Sequence, residues 1–573
     1  MNVRNVALVC LALVLSACAQ VPRIAPERAE QPKTVAAEKE PDLPKINLTS
    51  QLLYEFLIAE IAGQRGNLNL ATDAYLDLAK TTRDPRFAKR ATEVGLYSRR
   101  LPQAFEAAKL WRELEPDAEP PRQTVVALLI SAGNLEEARP LLEQMLAKDS
   151  ASRGQGFLYL SGLLSKHPDK VAALEFLRSL ARPYPTVPEA HFAIAQMAWN
   201  AEKMDLALEE IREAAKLKPD WEAAAMFQGQ LLQHAFPAQA MDFYKTYLSR
   251  YANAREVRLA YARMLVSDKN YTAAREEFRQ LLQAFPENAE VAFAVGLLSL
   301  QLNDYDAAEG YFKQALALKY KDENIVRLYL GQLNEERQRY EDATRWYASV
   351  GVSDQFLVAQ IRMAGILAKQ GKMDEARKHL QQVAVQNNQQ RVLLIQAEAQ
   401  LLRDAKKYQA AFDVLTQGLE KLPNYPDLLY DRAMMAEKIN RLDVLEQDLR
   451  KLIQLKPDYA HAYNALGYTL ADRTSRFDEA NKLLEKALKL SPEDPFIMDS
   501  MGWLQHRMGR NEKAVEYLQR AYGIRPDPEI AAHLGEVLWA QGKRDEAKVL
   551  WQGALKTSPQ NEALLDVLKK FSQ

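Results

Sequence analysis

Seven histidines, two cysteines and one glycine-flanked lysine are the residues of this 573-residue chain whose types invite a chemical reading. His167, His191, His234, His379, His461, His506 and His533 are scattered. None falls in an HExxH pair or in the Cys/His spacing that holds zinc. The stretch GILAKQGKM, residues 365–373, places five residues between Gly365 and Gly371, where a phosphate loop has four. It also has Met373 where such a loop needs a serine or threonine to reach magnesium. Gly371 reads instead as the turn between two helices. No GxSxG elbow occurs. The expectation is a protein that is not an enzyme, with no catalytic residue, no metal site and no cofactor. Lys and Arg number 75 against 76 Asp and Glu, with no basic block, so nucleic acid is not an expected partner.

The cysteines, Cys10 and Cys18, both lie at the N-terminus. Arg4 is followed by an apolar run from Val6 to Leu15 and by the small residues Ser16 and Ala17. A basic start, a short apolar core and small residues describe a secretory signal peptide, here 1–17. The run is too short to span a bilayer, which takes about 20 residues. Leu15-Ser16-Ala17-Cys18 resembles the lipobox of bacterial lipoproteins. That resemblance implies cleavage before Cys18 and lipidation of its thiol. Ala19, in place of aspartate, implies sorting to the outer membrane, facing the periplasm. Residues 18–48 then form a tether with five prolines and no apolar period. Such a segment reads as a disordered spacer, reaching on the order of 100 Å fully stretched. The rest of the chain has no cysteine, so its stability must come from packing.

The remainder is one repeated unit. Stepping back from Ala547 by 33 to 35 residues gives Ala514, Ala480, Leu445, Ala411, Ala376, Ala343, Ala308, Ala274, Ala240, Ala207, Ala173, Ala138, Ala104 and Ala71. Four residues after each lies an apolar side chain, one helical turn along the same face. Twelve residues after, nine of the fifteen positions are proline, which ends one unit and starts the next. Twelve residues before, the residue is often small, as at Ala59, Ala195, Ala262, Gly296, Gly331, Ala399, Gly502 and Gly535. Thr92, Val126, Ser161 and Gln228 depart from this. Each unit is therefore a hairpin of two helices that cross closely at the small residues. Irregularities at Leu445, at Pro237 and at one extra residue in 471–477 predict local bends, and possible places for the arm to divide. Glu562 to Phe571, with Leu564, Leu565, Val567, Leu568 and Phe571, reads as a capping helix.

These features resemble the tetratricopeptide repeat (TPR), best at Tyr463 to Gly467 with Ala480, Leu484, Ala487 and Pro492. The resemblance implies an all-α fold, an α-solenoid of stacked TPR hairpins forming a right-handed superhelix. Degenerate hairpins span 49–280, well-matched repeats 281–560, and the cap 561–573. It also implies a concave protein-binding face lined by the first helix of each unit, three residues before, one after and four after its small residue. Those positions select Asn464 and Tyr468; Asp499, Trp503 and His506; and Glu536 and Trp539. His461 and Glu529 lie one turn earlier. The competing reading for the two tryptophans is packing between hairpins. TPR domains that clamp a terminal carboxylate use a Lys/Asn/Arg set here. Asp499 and Glu536 would repel that group, so the specificity does not carry over.

The run Asp499-Ser500-Met501-Gly502-Trp503 and the stretch from Pro526 to Trp539 resemble outer-membrane TPR lipoproteins of the LbcA-like kind. Those adaptors partner a periplasmic carboxyl-terminal processing protease. The resemblance implies a scaffold that brings the protease to peptidoglycan hydrolases, by raising their effective concentration. Two other classes stay open. One is a TPR assembly lipoprotein for exopolysaccharide export or for type IV pilus and secretin biogenesis. The other is an enzyme with an unrecognised site.

Overall fold

Alanine recurs where helices cross, and the burial matches that reading. All fifteen positions from Ala71 to Ala547, including Leu445, have no exposed surface. The apolar side chains four residues on, from Tyr75 to Trp551, are at most 2 % exposed. The computed structural model describes residues 44–148, 150 and 152–571. The expected signal peptide, Cys18 and the tether up to residue 43 lie outside the described residues. Among the described residues there are 31 α-helices and no strand.

The helices fall into two compact units, one ending at Tyr320 and the other beginning at Lys321. The first unit holds eight hairpins, from Ser50–Gln64 with Leu68–Thr82 to Ala289–Gln301 with Tyr305–Ala317. The second holds seven, from Glu323–Glu336 with Tyr340–Ala348 to Pro528–Ala540 with Arg544–Thr557, and then the helix Glu562–Phe571. The division falls at none of the three irregularities noted in the sequence. It lies where the position usually held by proline is Tyr320, which is 3 % exposed and stacks on Phe293 at 4.5 Å.

Within each hairpin the alanine series lies on the second helix and the small residue on the first. All nine prolines of the repeat, from Pro116 to Pro559, sit in the links between hairpins or before the cap. Five residues before the alanine, twelve of the fifteen hairpins carry a residue of positive φ in the turn between helices. Five of these are glycines, Gly66, Gly133, Gly371, Gly509 and Gly542. The others, such as Arg99 and Gln338, adopt the left-handed conformation at a cost of roughly 1–2 kcal/mol each. The turn geometry is therefore imposed by helix packing.

Two of the three exceptions explain the sequence irregularities. Only Phe236 separates the helices Glu222–Ala235 and Pro237–Arg250, because Pro237 starts the second helix at once. The shortened turn shifts the register by one residue. The small residue of that hairpin is therefore Gly229, not the Gln228 of the sequence frame. A methyl at Gly229 would overlap the Tyr244 ring. At 471–477 the extra residue is absorbed by Thr474, in extended conformation (φ −140°, ψ −178°). Its hydroxyl donates to the Leu470 carbonyl at 2.6 Å and accepts from the Arg476 N–H at 3.1 Å.

Glycine and ring size are matched across the crossing. A Cβ at Gly296 would stand 2.7 Å from Phe312, and one at Gly502 would stand 2.6 Å from Leu518. At Gly535 it would overlap the indole of Trp551, whose Nε1–H donates to the Ala532 carbonyl at 3.3 Å. The capping helix closes this end with Leu564 fully buried and Val567, Leu568 and Phe571 packed beside it. Leu565, expected in the cap contact, is 44 % exposed and faces away.

This packing sets apart two glycines of the last hairpin. Gly535→Ala should destabilise it by roughly 1–3 kcal/mol through overpacking. Gly553→Ala, where an added methyl meets no atom within 4 Å, should stabilise it by up to about 1 kcal/mol. Amide hydrogen exchange over residues 528–557 reads both, since a repeat stack opens locally.

Candidate protein-binding groove

Three successive first helices of the second unit, Ala460–Arg473, Pro495–Arg507 and Pro528–Ala540, present the residues selected from the sequence. Trp503, only 8 % exposed, is their centre. Its indole N–H donates to Asp472 Oδ1 at 3.0 Å. Its ring stacks on His533, with centroids 4.4 Å apart and planes at 24°. The His506 ring lies 5.2 Å from it and is held by Asn511 Oδ1, 2.7 Å from His506 Nδ1. His533 Nδ1 is 3.0 Å from both oxygens of Asp499. His533 Nε2 is 3.4 Å from the Tyr468 hydroxyl. Asp472, Trp503, His533, Asp499 and Tyr468 thus form one connected network across three hairpins.

Of the nine residues selected from the sequence, Tyr468, Asp499, Trp503 and His506 meet in this network. The other five do not. Glu536 pairs with Lys570 of the capping helix. Trp539 stacks near Trp551 at 5.9 Å and Phe571 at 5.2 Å, and Arg544 and Lys548 lie over its ring. It therefore packs into the terminal cap, whereas Trp503, bonded to Asp472 of the preceding hairpin and stacked on His533 of the next, packs between hairpins as the competing reading has it. His461 and Glu529 are exposed, and the His461 ring stands edge-on to Tyr459 at 5.9 Å. The buried Asn464 Oδ1 has no hydrogen-bond donor among the described residues.

Two members of the network, Asp472 and His533, are absent from the sequence selection. The helical period contains the signal for both. Asp472 follows Tyr468 by four residues, and His533 follows Glu529 by four and precedes Glu536 by three. The three-position rule for the concave face skips them.

The electrostatics of the network follow from burial among carboxylates. For His533, burial works against the charged ring, but the Asp499 carboxylate, supported by Glu529 and Glu536, outweighs it and raises the pKa. The Tyr468 hydroxyl is pushed well up by burial and by the charges of Asp472 and Asp499. One hairpin earlier, burial raises the Asp431 carboxyl, which accepts from Gln396 Nε2 at 2.7 Å. Among the described residues no cluster of His, Cys, Asp and Glu is arranged to hold a metal ion. What the network does is fix aromatic rings, with their polar atoms paired, on one helical face.

Tetratricopeptide-repeat family profiles match residues 230–289, 265–333 and 469–529, the last of which contains Trp503. TPR repeat-containing protein PA4667 of Pseudomonas aeruginosa is 33 % identical over 540 residues, covering 93 % of this chain and 90 % of that one. The chain belongs to the tetratricopeptide-repeat proteins. A shorter match joins it to TPR repeat-containing protein MJ1428 of Methanocaldococcus jannaschii, 22 % identical over 54 % of this chain and 57 % of that one. Among solved structures, a tetratricopeptide repeat protein from Parabacteroides merdae is 15 % identical, with a TM-score of 0.33, covering 49 % of this chain and 97 % of that one. The family assignment rests on the full-length relative. Tetratricopeptide-repeat proteins are generally non-catalytic scaffolds for protein–protein contacts.

The His533–Asp499 pair makes a pH-dependent prediction. A pKa raised above the unfolded value of about 6.5 means that protonated His533 stabilises the fold below that value. The contribution is lost as pH rises through the higher folded value. Protonated His533 should also quench the stacked Trp503. The Trp503 emission, isolated by difference against Trp503→Phe, should rise with a midpoint above pH 6.5. Asp499→Asn should move that midpoint down, since only the lesser charges of Glu529 and Glu536 then oppose burial. A midpoint unmoved by Asp499→Asn would contradict the pairing.

Proposed function

We propose that this protein is a non-enzymatic adaptor anchored by a lipid at Cys18 in the bacterial outer membrane and facing the periplasm. Its groove recruits a carboxyl-terminal processing protease and holds it near peptidoglycan hydrolases. The observation that supports the reading most is the Trp503 network. Its polar atoms are paired before any partner arrives, so binding there does not have to order these side chains. Trp503 and Asp499 are themselves buried, so the network would brace the groove from beneath rather than be contacted directly. A groove of successive helices suits an extended peptide or a helix. The tether and anchor would supply the effective concentration on which an adaptor depends.

The assembly reading, a platform for exopolysaccharide export or for type IV pili and secretins, uses the same groove and anchor. The resemblance around Trp503 to protease adaptors favours the first.

The test is reconstitution. The chain from residue 18 onward, with Cys18→Ser, is added to a purified processing protease and a peptidoglycan hydrolase. Cleavage is expected to accelerate at least tenfold. Trp503→Ala should abolish most of that gain, whereas Trp539→Ala should act only through stability of the cap. Affinity capture from periplasmic extract with the same proteins identifies the bound partners by mass spectrometry. Recovery of a secretin or export channel without protease, and no acceleration, would transfer the protein to the assembly class.

A further inference from the structure

Of the 24 large apolar side chains more than a third exposed among the described residues, ten lie between Ile46 and Leu101. Such a concentration marks a contact surface. Six of the ten lie before or along the first helix, Ser50–Gln64, and four at the turns of the first two hairpins. Leu70 is 46 % exposed, Leu96 40 %, Leu101 51 % and Tyr97 82 %. The turns lie side by side: Arg100 Nη1 donates to the Asn69 carbonyl at 2.9 Å and pairs with Asp73 at 2.7 Å. The hydroxyls of Thr72 and Ser98 are 3.5 Å apart. In the third turn the corresponding apolar residue, Leu135, is 9 % exposed, so the patch ends there.

Two guanidinium groups frame it. Arg65 and Arg99 are exposed in these turns and make no ion pair among the described residues. The turn segments 64–73 and 96–104 hold three basic side chains, Arg65, Arg99 and Arg100, against one acidic, Asp73. A second copy is a poor occupant, because a two-fold contact would oppose these like charges. An anionic bilayer fits both features. Tyrosine and leucine at turn tips enter the headgroup boundary, while arginines meet lipid phosphates. Pro44 follows Cys18 by 26 residues, and if the proposed tether is a coil, its span of about 30 Å would leave this edge within reach of the membrane.

We infer that the turn edge of the first two hairpins docks on anionic phospholipid through Leu70, Tyr97 and Leu101, with Arg65 and Arg99 on the phosphates. Docking orients the arm, and it operates without the lipid at Cys18.

The chain from residue 18 onward with Cys18→Ser, which has no acyl chain, is floated with vesicles. One set is phosphatidylethanolamine and phosphatidylglycerol at 3:1, the other phosphatidylcholine alone. Binding to the anionic set is expected to be at least tenfold stronger and to fall as salt rises. The triple variant Leu70→Ser, Tyr97→Ser, Leu101→Ser and the double variant Arg65→Glu, Arg99→Glu should each lose at least tenfold. Val549→Ser, 70 % exposed in the other unit, should lose nothing. Melting curves check that all remain folded. No binding to either vesicle, or equal binding by wild type and patch variants, would overturn the inference. So would a dimer, seen by light scattering, that the patch substitutions disperse. Because the anchor is removed throughout, failure here leaves the adaptor reading standing.

Discussion

Everything in this protein depends on how closely two helices can cross. At each crossing the second helix contributes a residue with no exposed surface, and at all but one (Ala104, followed by Ala108) a large side chain one turn further fills the space beside it. Where the facing residue is glycine, the filling group is often a ring: Tyr244 against Gly229, Phe312 against Gly296, Tyr347 against Gly331, Trp551 against Gly535. Volume is exchanged across the contact and the packing stays dense. Leu445 shows that alanine is one solution among several. It is as buried as its counterparts and lies in a cluster with Ala433 and Ala436.

The crossing also dictates the turn. Most turns adopt left-handed backbone whether or not glycine is present, and those around Phe236 and Thr474 differ because their loop lengths differ. Charge is then built into the packing without altering it. Arg432 meets Asp448 at 2.7 Å within one hairpin, and Arg377 meets Glu398 at 2.9 Å between neighbours. Both carboxylates are nearly fully buried, so loss of either arginine would leave a charge that costs about 3–5 kcal/mol.

Stacking consumes the crossing faces, and the two surfaces proposed for function lie away from them. One is the first-helix face of the last hairpins, where three successive helices share a single network around Trp503 and His533. The other is the turn edge at the start of the chain, apolar and basic together. They lie in different units and differ in chemistry. The groove has its hydrogen bonds satisfied and rings held in place. The edge has unpaired guanidinium groups and exposed side chains.

The sequence by itself determined the repeat, the order of its helices and the residues at nearly all crossings, because the steric demand of a helix contact recurs at a fixed period. It also showed that Asp499 and Glu536 do not form a carboxylate-clamp set. Only the tertiary structure decided which groove residues meet. Tyr468 reaches His533 across 65 residues of sequence, and that distance depends on how three helices stack, which no local spacing encodes. Trp503 and Trp539 occupy comparable places in the pattern, yet one is packed between the flanking hairpins and the other is drawn under the capping helix, because only the last hairpin has Phe571 beside it. Gly229 likewise replaced Gln228 at its crossing because Pro237 began a helix one residue early, a shift that shows only when both helices are in place.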